Sequence, residues 1–185
     1  MLVIKHKFLL SLFFIFITVT SLAEVQSSKL NELFKTLKKI DNTNDADILE
    51  KKIWSLWNTH PKKKHLTHKL ELGTELMYEG NYQYALEVFN NIIKSDPNWS
   101  EAWNKRATLL FFMKNYQQSL SDIDMVLSIE PRHFGALSGR AQIFIKLEEY
   151  QKAINDLKKA KEIHPVIRGH SLIEELEKLI KGLSI

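Results

Sequence analysis

The stretch from Trp103 to Pro131, WNKRATLLFFMKNYQQSLSDIDMVLSIEP, decides the fold because its landmarks recur along the chain. Pro131 lies 34 residues after Pro97 and 34 residues before Pro165. Three tyrosines keep the same interval: Tyr82, Tyr116 and Tyr150. A period of this length is typical of a solenoid whose unit is a pair of helices. Because one such pair cannot bury its own apolar face, neighbouring pairs must stack.

The composition favours a single, mostly helical domain. The 185 residues contain only 6 glycines and 4 prolines, and 44% of them are hydrophobic. The formal net charge of +4 is modest, whereas a nucleic-acid partner usually calls for a concentrated basic face, so we expect none. The chain contains no cysteine. Stability must therefore come from helix packing rather than from disulfides.

The N-terminus predicts an exported protein. Lys5, His6 and Lys7 precede a largely apolar run over residues 8–19, and Ser21-Leu22-Ala23 has the small-x-small form of a cleavage site. This pattern is typical of a secretory signal peptide, here residues 1–23, cut before Glu24. In a bacterium the product would be periplasmic. The alternative is an uncleaved membrane anchor, although the apolar run is shorter than the roughly 20 residues that a spanning helix needs. Any membrane association would run through this segment.

Residues 24–61 predict a helical hairpin. Ser27 or Ser28 could cap a first helix that ends near Ile40. A polar turn follows, and a second helix is expected from about Asp45 to Thr59, before Pro61. The hairpin lacks the repeated landmarks, so we predict that it is an N-terminal cap covering the open face of the first repeat.

The repeats themselves resemble the tetratricopeptide repeat family, whose unit is Trp-x2-Leu-Gly-x2-Tyr, then Ala-x3-Phe, then Pro. The matching landmarks are Gly73, Ala85, Phe89, Pro97, Trp103, Ala107, Pro131, Ala141, Ala153 and Pro165. Three copies, 66–99, 100–133 and 134–167, follow one another without a gap, and the repeat pattern itself runs over residues 66–165. The resemblance implies an all-α, right-handed α-solenoid of helical hairpins. Residues 168–185 would add a C-terminal capping helix with Leu172, Ile173, Leu176, Leu179 and Ile180 facing inward. With both ends covered, we expect a monomer.

The resemblance also implies a function, which is to bind a protein or peptide on the concave wall formed by the first helices. Counting along those helices gives the expected groove residues: Thr74, Met77, Tyr78, Asn104, Thr108, Phe111, Ser138, Gln142 and Ile145. The polar members could bind an extended backbone, and the apolar members could hold side chains. The alternative for any one aromatic is a place in the core. Family members that clamp a C-terminal carboxylate use several basic and amide residues here, but this chain offers only Asn104, Lys105 and Lys146, so we do not expect a chaperone-tail receptor.

Several departures from the family pattern point to structural roles. Arginine replaces the expected leucine at Arg106 and Arg140, and the same copies share an aspartate, at Asp122 and Asp156. The first copy has Leu72 and Val88 instead. Because the charges appear together and vanish together, we predict an Arg–Asp contact between neighbouring helices. Lys69 and Ser119 are interpreted as edge substitutions, and the aromatics Trp99, Trp103 and Phe134 are expected to pack between repeats.

No motif predicts catalysis. The sequence has no glycine-rich phosphate loop and no nucleophile with a base, so we expect neither an enzyme nor a cofactor. His60, His65 and His68 lie close together, and His65 and His68 could form a metal pair on one helix face. Without a supporting carboxylate motif, these histidines are better interpreted as solvated residues beside the Lys62-Lys63-Lys64 linker. The sequence therefore predicts a non-enzymatic scaffold or adaptor of the cell envelope. The alternatives are a recruitment factor held at a membrane by its N-terminus and, more remotely, a metal-dependent enzyme.

Overall fold

The computed structural model describes residues 22–168 and 171–183 of the chain. Of the predicted signal peptide 1–23, residues 1–21 lie outside the described residues. The described part is helical throughout, and none of its helices is both long and apolar enough to cross a bilayer. The helices are α1 (22–37), α2 (Thr43–Asn58), α3 (Lys64–Tyr78), α4 (Tyr82–Ser95), α5 (Ser100–Phe112), α6 (Tyr116–Ile129), α7 (Phe134–Lys146), α8 (Tyr150–Ile163) and α9 (Ser171–Leu183).

Three helical hairpins, α3–α4, α5–α6 and α7–α8, stack in order and confirm the predicted all-α solenoid. The tight turns inside the hairpins reverse the chain at residues with positive φ: Gly80 (83°), Lys114 (59°) and Glu148 (59°). These three residues also lie 34 positions apart. Glycine adopts the left-handed conformation without steric cost, whereas Lys114 and Glu148 are held there by the hairpin that they close.

The small residues of the repeat lie where helices touch. A Cβ atom at Gly73 would lie 2.6 Å from the Phe89 ring, so the predicted close contact at this glycine is confirmed. Ala85, Ala141 and Ala153 are fully buried. The interpretation of Ser119 as an edge substitution was wrong. Its side chain is fully buried, and its hydroxyl donates a hydrogen bond to the Ala107 carbonyl at 2.7 Å.

The predicted arginine–aspartate contacts are confirmed in both copies. Arg106 donates from Nε and Nη2 to the two carboxylate oxygens of Asp122 at 2.8 and 2.7 Å, and Arg140 binds Asp156 in the same way at 2.7 and 2.8 Å. The remaining Nη1 atoms reach the preceding hairpin, where their acceptors are Asn90 at 2.6 Å and Asp124 at 2.7 Å. Each arginine therefore ties two helices of one hairpin to the hairpin before it.

The N-terminal hairpin begins earlier than predicted. The described helix α1 begins at residue 22, so Ser27 and Ser28 lie inside it and do not cap it. The cap of α2 is Asn42, whose side chain accepts a hydrogen bond from the Asp45 N–H at 3.0 Å. Within the hairpin, the Gln26 amide donates to the backbone carbonyl of Thr59 at 3.0 Å, which fastens α1 to the end of α2.

The hairpin also lies in a different place from the one predicted. Its core residues Phe34, Ile53 and Trp57 form one hydrophobic cluster with Phe134 and Leu137 of the third hairpin. The core of the hairpin therefore packs against the third repeat, and the prediction that it covers the open face of the first repeat was wrong.

Polar residues on α3 give the physical reason. At the positions where α5 and α7 bury small or aliphatic side chains against the preceding hairpin, α3 carries His68 and Glu75, both exposed. The buried equivalents are Ala102 and Leu109 in α5, and Ala136 and Ile143 in α7. Stacking a helix over Glu75 would desolvate its carboxylate without supplying a partner.

At the other end of the chain, α9 lies against the third hairpin. Ile173 and Leu176 are buried in a cluster with Ala141, Ala153 and Leu157. Lys158 of α8 and Glu177 of α9 form an ion pair at 2.7 Å. Leu179, which was expected to face inward, is 43% exposed.

Candidate functional site

Helix α2 crosses the N-terminal ends of α3, α5 and α7, and this placement decides which part of the concave wall is open. The Trp99 indole N–H, just before α5, donates to the Trp57 carbonyl at 2.9 Å. The Trp54 ring covers Gly135 of α7 so closely that a Cβ atom there would lie 2.5 Å from it. The Trp57 ring stacks on His133 with centroids 4.0 Å apart and an interplanar angle of 7°. Helix α2 therefore covers the part of the concave wall that lies at the N-terminal ends of these helices.

Three buried histidines line this crossing, and each contacts a carboxylate: His60 with Asp96 at 2.9 Å, His133 with Glu101 at 3.0 Å and His164 with Glu50 at 3.2 Å. In His133, Nδ1 accepts the Ala136 N–H at 3.0 Å, so Nε2 is the atom that donates to Glu101. Sequence reasoning missed this set. The sequence features that could have revealed it are Trp54 and Trp57 of α2, together with a histidine within two residues of each of the prolines Pro61, Pro131 and Pro165.

These contacts shift the pKa values of their members. Burial raises the pKa of the Glu101 carboxyl, but the hydrogen bond and charge of His133, helped by Lys105, outweigh it and leave the pKa below its usual value. The hydrogen bond from His164 lowers the pKa of Glu50. Burial lowers the pKa of His60 more than Asp96 raises it. Both glutamates are therefore held ionised, and His60 is held neutral.

Above the crossing, a cavity of about 230 Å³ opens between α5 and α7. Helix α5 supplies Asn104, Ala107, Thr108, Phe111 and Phe112. Helix α7 supplies Gly135, Ala136, Ser138, Gly139, Gln142 and Ile143. Ser119 and Ile123 form the floor. The cavity exists because α7 carries small side chains on this face, and a Cβ atom at Gly139 would meet nothing within 4 Å.

The polar groups of the cavity are amides and hydroxyls. Asn104 donates its side-chain amide to Glu101 at 3.1 Å, and Thr108 donates its hydroxyl to the Asn104 backbone carbonyl at 2.9 Å. Within the described residues, the Ser138 hydroxyl and the Gln142 amide make no hydrogen bond, so both remain available to a ligand. No described lining residue is charged. The cavity can therefore bind through neutral hydrogen bonds and apolar contacts.

The structure brings five of the predicted groove residues into this cavity: Asn104, Thr108, Phe111, Ser138 and Gln142. Thr74 and Tyr78 line a separate depression with Asn58 of α2 and Lys105 of α5. Two predicted members lie elsewhere. Met77 is 2% exposed and belongs to the core of the first hairpin, and Ile145 packs against the cluster between α8 and α9. Counting every third and fourth position selects one side of a helix, but it cannot separate the groove face from the neighbouring core faces, because the two faces share some of the same positions.

The predicted structural residues are largely where the sequence placed them. Trp99 and Phe134 are buried, and Trp103 donates its indole N–H to the Pro97 carbonyl at 2.8 Å. The interpretation of His60 as solvated was wrong, because it is 3% exposed, whereas His65 and His68 are exposed. In the part of the chain that the structure describes, no three histidine or carboxylate side chains are grouped so that they could hold a metal ion.

The third hairpin decides the family. Residues 135–166, which span most of α7 and all of α8, match the tetratricopeptide repeat. The chain contains a tetratricopeptide repeat. No curated protein sequence matches it significantly.

Solved tetratricopeptide repeat domains share the fold. The Sgt2 domain from Aspergillus fumigatus superposes with a TM-score of 0.61 at 14% identity, over 66% of this chain and 83% of that one. The first domain of Spaghetti (RPAP3), bound to the HSP90 peptide SRMEEVD, has a TM-score of 0.58 at 21% identity, over 65% and 94%. The TPR2B domain of yeast Sti1, in a pHsp70 complex, has a TM-score of 0.51 at 21% identity, over 60% and 93%.

Proposed function

We propose that this tetratricopeptide repeat protein is a non-enzymatic adaptor that binds an extended segment of a partner protein in the cavity between α5 and α7. The observation that carries the proposal is that polar groups without hydrogen-bond partners lie next to apolar surface in the same cavity. Ser138 and Gln142 face the cavity without hydrogen-bond partners, while Phe111, Phe112 and Ile143 supply apolar surface. Such a wall suits a peptide backbone with an apolar side chain.

The same cavity argues against chemistry. Its described lining contains hydroxyl groups but no acid, base or thiol, so it holds no group that could activate those hydroxyls for attack on a substrate. The ionisable groups closest to it, Glu101 and His133, are fully buried and paired with each other. These residues hold α2 in place and are closed to a substrate.

The partner segment is not expected to end in a carboxylate at this site. Two of the structural relatives hold HSP90 or pHsp70 ligands, but here the polar group at the base of the cavity, Asn104, is bonded to the Glu101 carboxylate. No described lining residue of the cavity is a cation that could pair with a ligand carboxylate. The proposed ligand is therefore an internal, uncharged stretch of a protein.

A photo-crosslinking amino acid at Gln142 tests the proposal in cells. We expect it to capture a partner that the same group at Lys159, exposed on α8, does not capture. With the purified partner, Gly139→Leu should weaken binding about tenfold or more, because its side chain would fill the cavity without meeting other atoms near its Cβ. Equal capture from both positions, together with unchanged affinity for the Gly139→Leu protein, would contradict the proposal.

We further propose that the adaptor works in the cell envelope after export. The support is the N-terminal pattern, in which basic residues, an apolar run and Ser21-Leu22-Ala23 follow one another. Sequencing the N-terminus of the protein purified from its native cells should give Glu24 as the first residue. A protein that retains Met1 and fractionates with membranes would instead be a membrane-held recruitment factor.

A further inference from the structure

Among residues 22–168 and 171–183, one stacking face of the solenoid is left without a covering helix. On the second hairpin, the face toward the preceding repeat carries Arg106, Leu110, Gln118, Ser121 and Asp122, which form one depression with Leu86 and Asn90 of α4. The residues 34 positions earlier, on the first hairpin, are Leu72, Leu76, Tyr84, Glu87 and Val88. We name these five the open face. Leu72 is 49% exposed and Tyr84 is 66% exposed, since the N-terminal hairpin packs on the third repeat instead.

The chemistry of the open face differs from that of its equivalents. In the second and third hairpins the central pair is Arg–Asp, and the arginine reaches a polar residue on the preceding helix. In the first hairpin the central pair is Leu72 and Val88. Replacing an Arg–Asp pair by leucine and valine on a surface that only faced water would give no stabilisation. Leu72 and Tyr84 are exposed and Val88 beside them is half-buried, so together they form an apolar surface of the kind that marks interaction sites.

The charges at the rim of the open face indicate what would cover it. Glu75, Glu79 and Glu87 are exposed. Lys69 and His68 lie about two turns before Glu75, toward the N-terminus of α3. Within the chain itself, the equivalent faces are covered by helices, α4 on the second hairpin and α6 on the third. The shape therefore suits a helix, and the exposed glutamates suit basic side chains.

We propose that the open face binds an amphipathic helix of a partner protein, with an apolar stripe flanked by lysine or arginine. The helix would take the place that a preceding repeat occupies on the other hairpins, with its stripe on Leu72, Tyr84 and Val88 and its basic residues beside Glu75 and Glu87. This site is separate from the cavity between α5 and α7, so the protein would hold two partner segments at once.

A synthetic helix tests the inference. The probe is a labelled, amidated peptide of about 18 residues, or five turns, with a leucine stripe flanked by lysines. Its matched control has glutamate in place of each lysine. By fluorescence anisotropy with the full chain at physiological salt, we expect the lysine peptide to bind at least about tenfold more tightly than the glutamate peptide.

A double variant locates the binding. Leu72→Arg with Val88→Asp installs the pair that the second and third hairpins already contain, so the fold should persist, and circular dichroism checks this. We expect about a tenfold loss of affinity for the lysine peptide. Tyr84→Lys, a surface change, should weaken binding in the same direction. Gly139→Leu, which blocks the cavity, should leave this affinity unchanged, so failure here is distinguishable from failure of the proposed adaptor function.

Three results would overturn the inference. The first is equal binding of the lysine and glutamate peptides. The second is unchanged binding to the double variant and to the Tyr84→Lys protein. The third is a dimer in light scattering that the double variant converts to monomer, because the open face would then be an interface between two copies of this chain.

Discussion

Arg106 and Arg140 show how a single residue joins neighbouring repeats. Each guanidinium forms a two-point ion pair with an aspartate of its own hairpin and a third bond to the hairpin before it. The planar, forked guanidinium makes this geometry possible, and a lysine could not reproduce it. Because Asp122 is nearly buried, the main effect of losing Arg106 would be a buried aspartate carboxylate without a partner.

Arg106→Leu should destabilise the protein more than the double change Arg106→Leu with Asp122→Val. The single change leaves the buried Asp122 carboxylate without its partner and should cost about 2 kcal/mol in free energy of unfolding, whereas the double change restores the apolar pair of the first hairpin. Urea denaturation of the wild type, both single variants and the double variant measures the coupling. If the double variant loses the sum of the two single losses, the residues are not coupled.

Gly73→Ala and Gly139→Ala form a matched pair of helical glycine changes. The first places a methyl group 2.6 Å from the Phe89 ring and should destabilise the protein by about 1–3 kcal/mol. The second meets no atom within 4 Å and should stabilise it by about 0.5–1 kcal/mol through helix propensity. Thermal unfolding midpoints compare the two. Similar shifts in the same direction would contradict the close contact at Gly73.

At the scale of elements, the position of α2 depends on polar contacts as well as on tryptophans. Glu50 of α2 bonds His164, and the chain leaving α2 carries His60, which bonds Asp96. The Asp47 carboxylate pairs with Arg168 at 2.9 Å. These contacts join residues that are far apart in sequence, so they form only after the solenoid has folded.

Acid should weaken this attachment. Because the pKa of His60 is lowered, the unfolded chain takes up a proton there at a higher pH than the folded chain does, so stability falls as pH drops below about 6.5. Because the pKa values of Glu50 and Glu101 are lowered too, their contributions are present above about pH 4.3 and are lost as pH falls further.

Denaturation midpoints between about pH 7 and pH 2 measure both phases of the acid effect, whose windows begin at the usual histidine and glutamate pKa values. His60→Gln should flatten the first phase and leave the second. His65→Gln, an exposed position, is the control and should change neither. A His60→Gln protein with the wild-type slope near pH 6 would show that His60 does not cause the first phase.

For the whole molecule, the N-terminal hairpin and the solenoid meet at Trp54 and Gly135. Gly135→Leu should push the Trp54 ring away, because even a Cβ atom would lie 2.5 Å from it. We expect faster amide hydrogen exchange throughout residues 22–58, with α5 and α6 little changed. Gly139→Leu, one turn further along α7, is the matched control and should leave exchange in residues 22–58 unchanged. Equal exchange in the two variants would show that this contact does not hold the hairpin.

The sequence by itself determined the repeating part of the molecule. The 34-residue interval, the prolines between hairpins and the small residues at contacts are local signals, since each acts within one or two neighbouring helices. The shared occurrence of arginine and aspartate predicted a contact for the same reason: Arg106 and Asp122 are only 16 residues apart. Five of the groove residues likewise follow from the face of the first helices.

Only the tertiary structure decided where the N-terminal hairpin lies, and with it which parts of the wall and of the first hairpin remain open. The hairpin is fixed by contacts such as Arg132 with Asn31, 101 residues apart, and His164 with Glu50, 114 residues apart. Local periodicity carries no information on such pairs. Exposed His68 and Glu75, where later repeats have buried small or aliphatic residues, were the local signs that the hairpin would not stack on the first repeat. The hairpin lies where Trp54 and Trp57 can pack against Gly135 and Phe134, because this contact removes apolar surface from water. That surface exists only once the solenoid has formed.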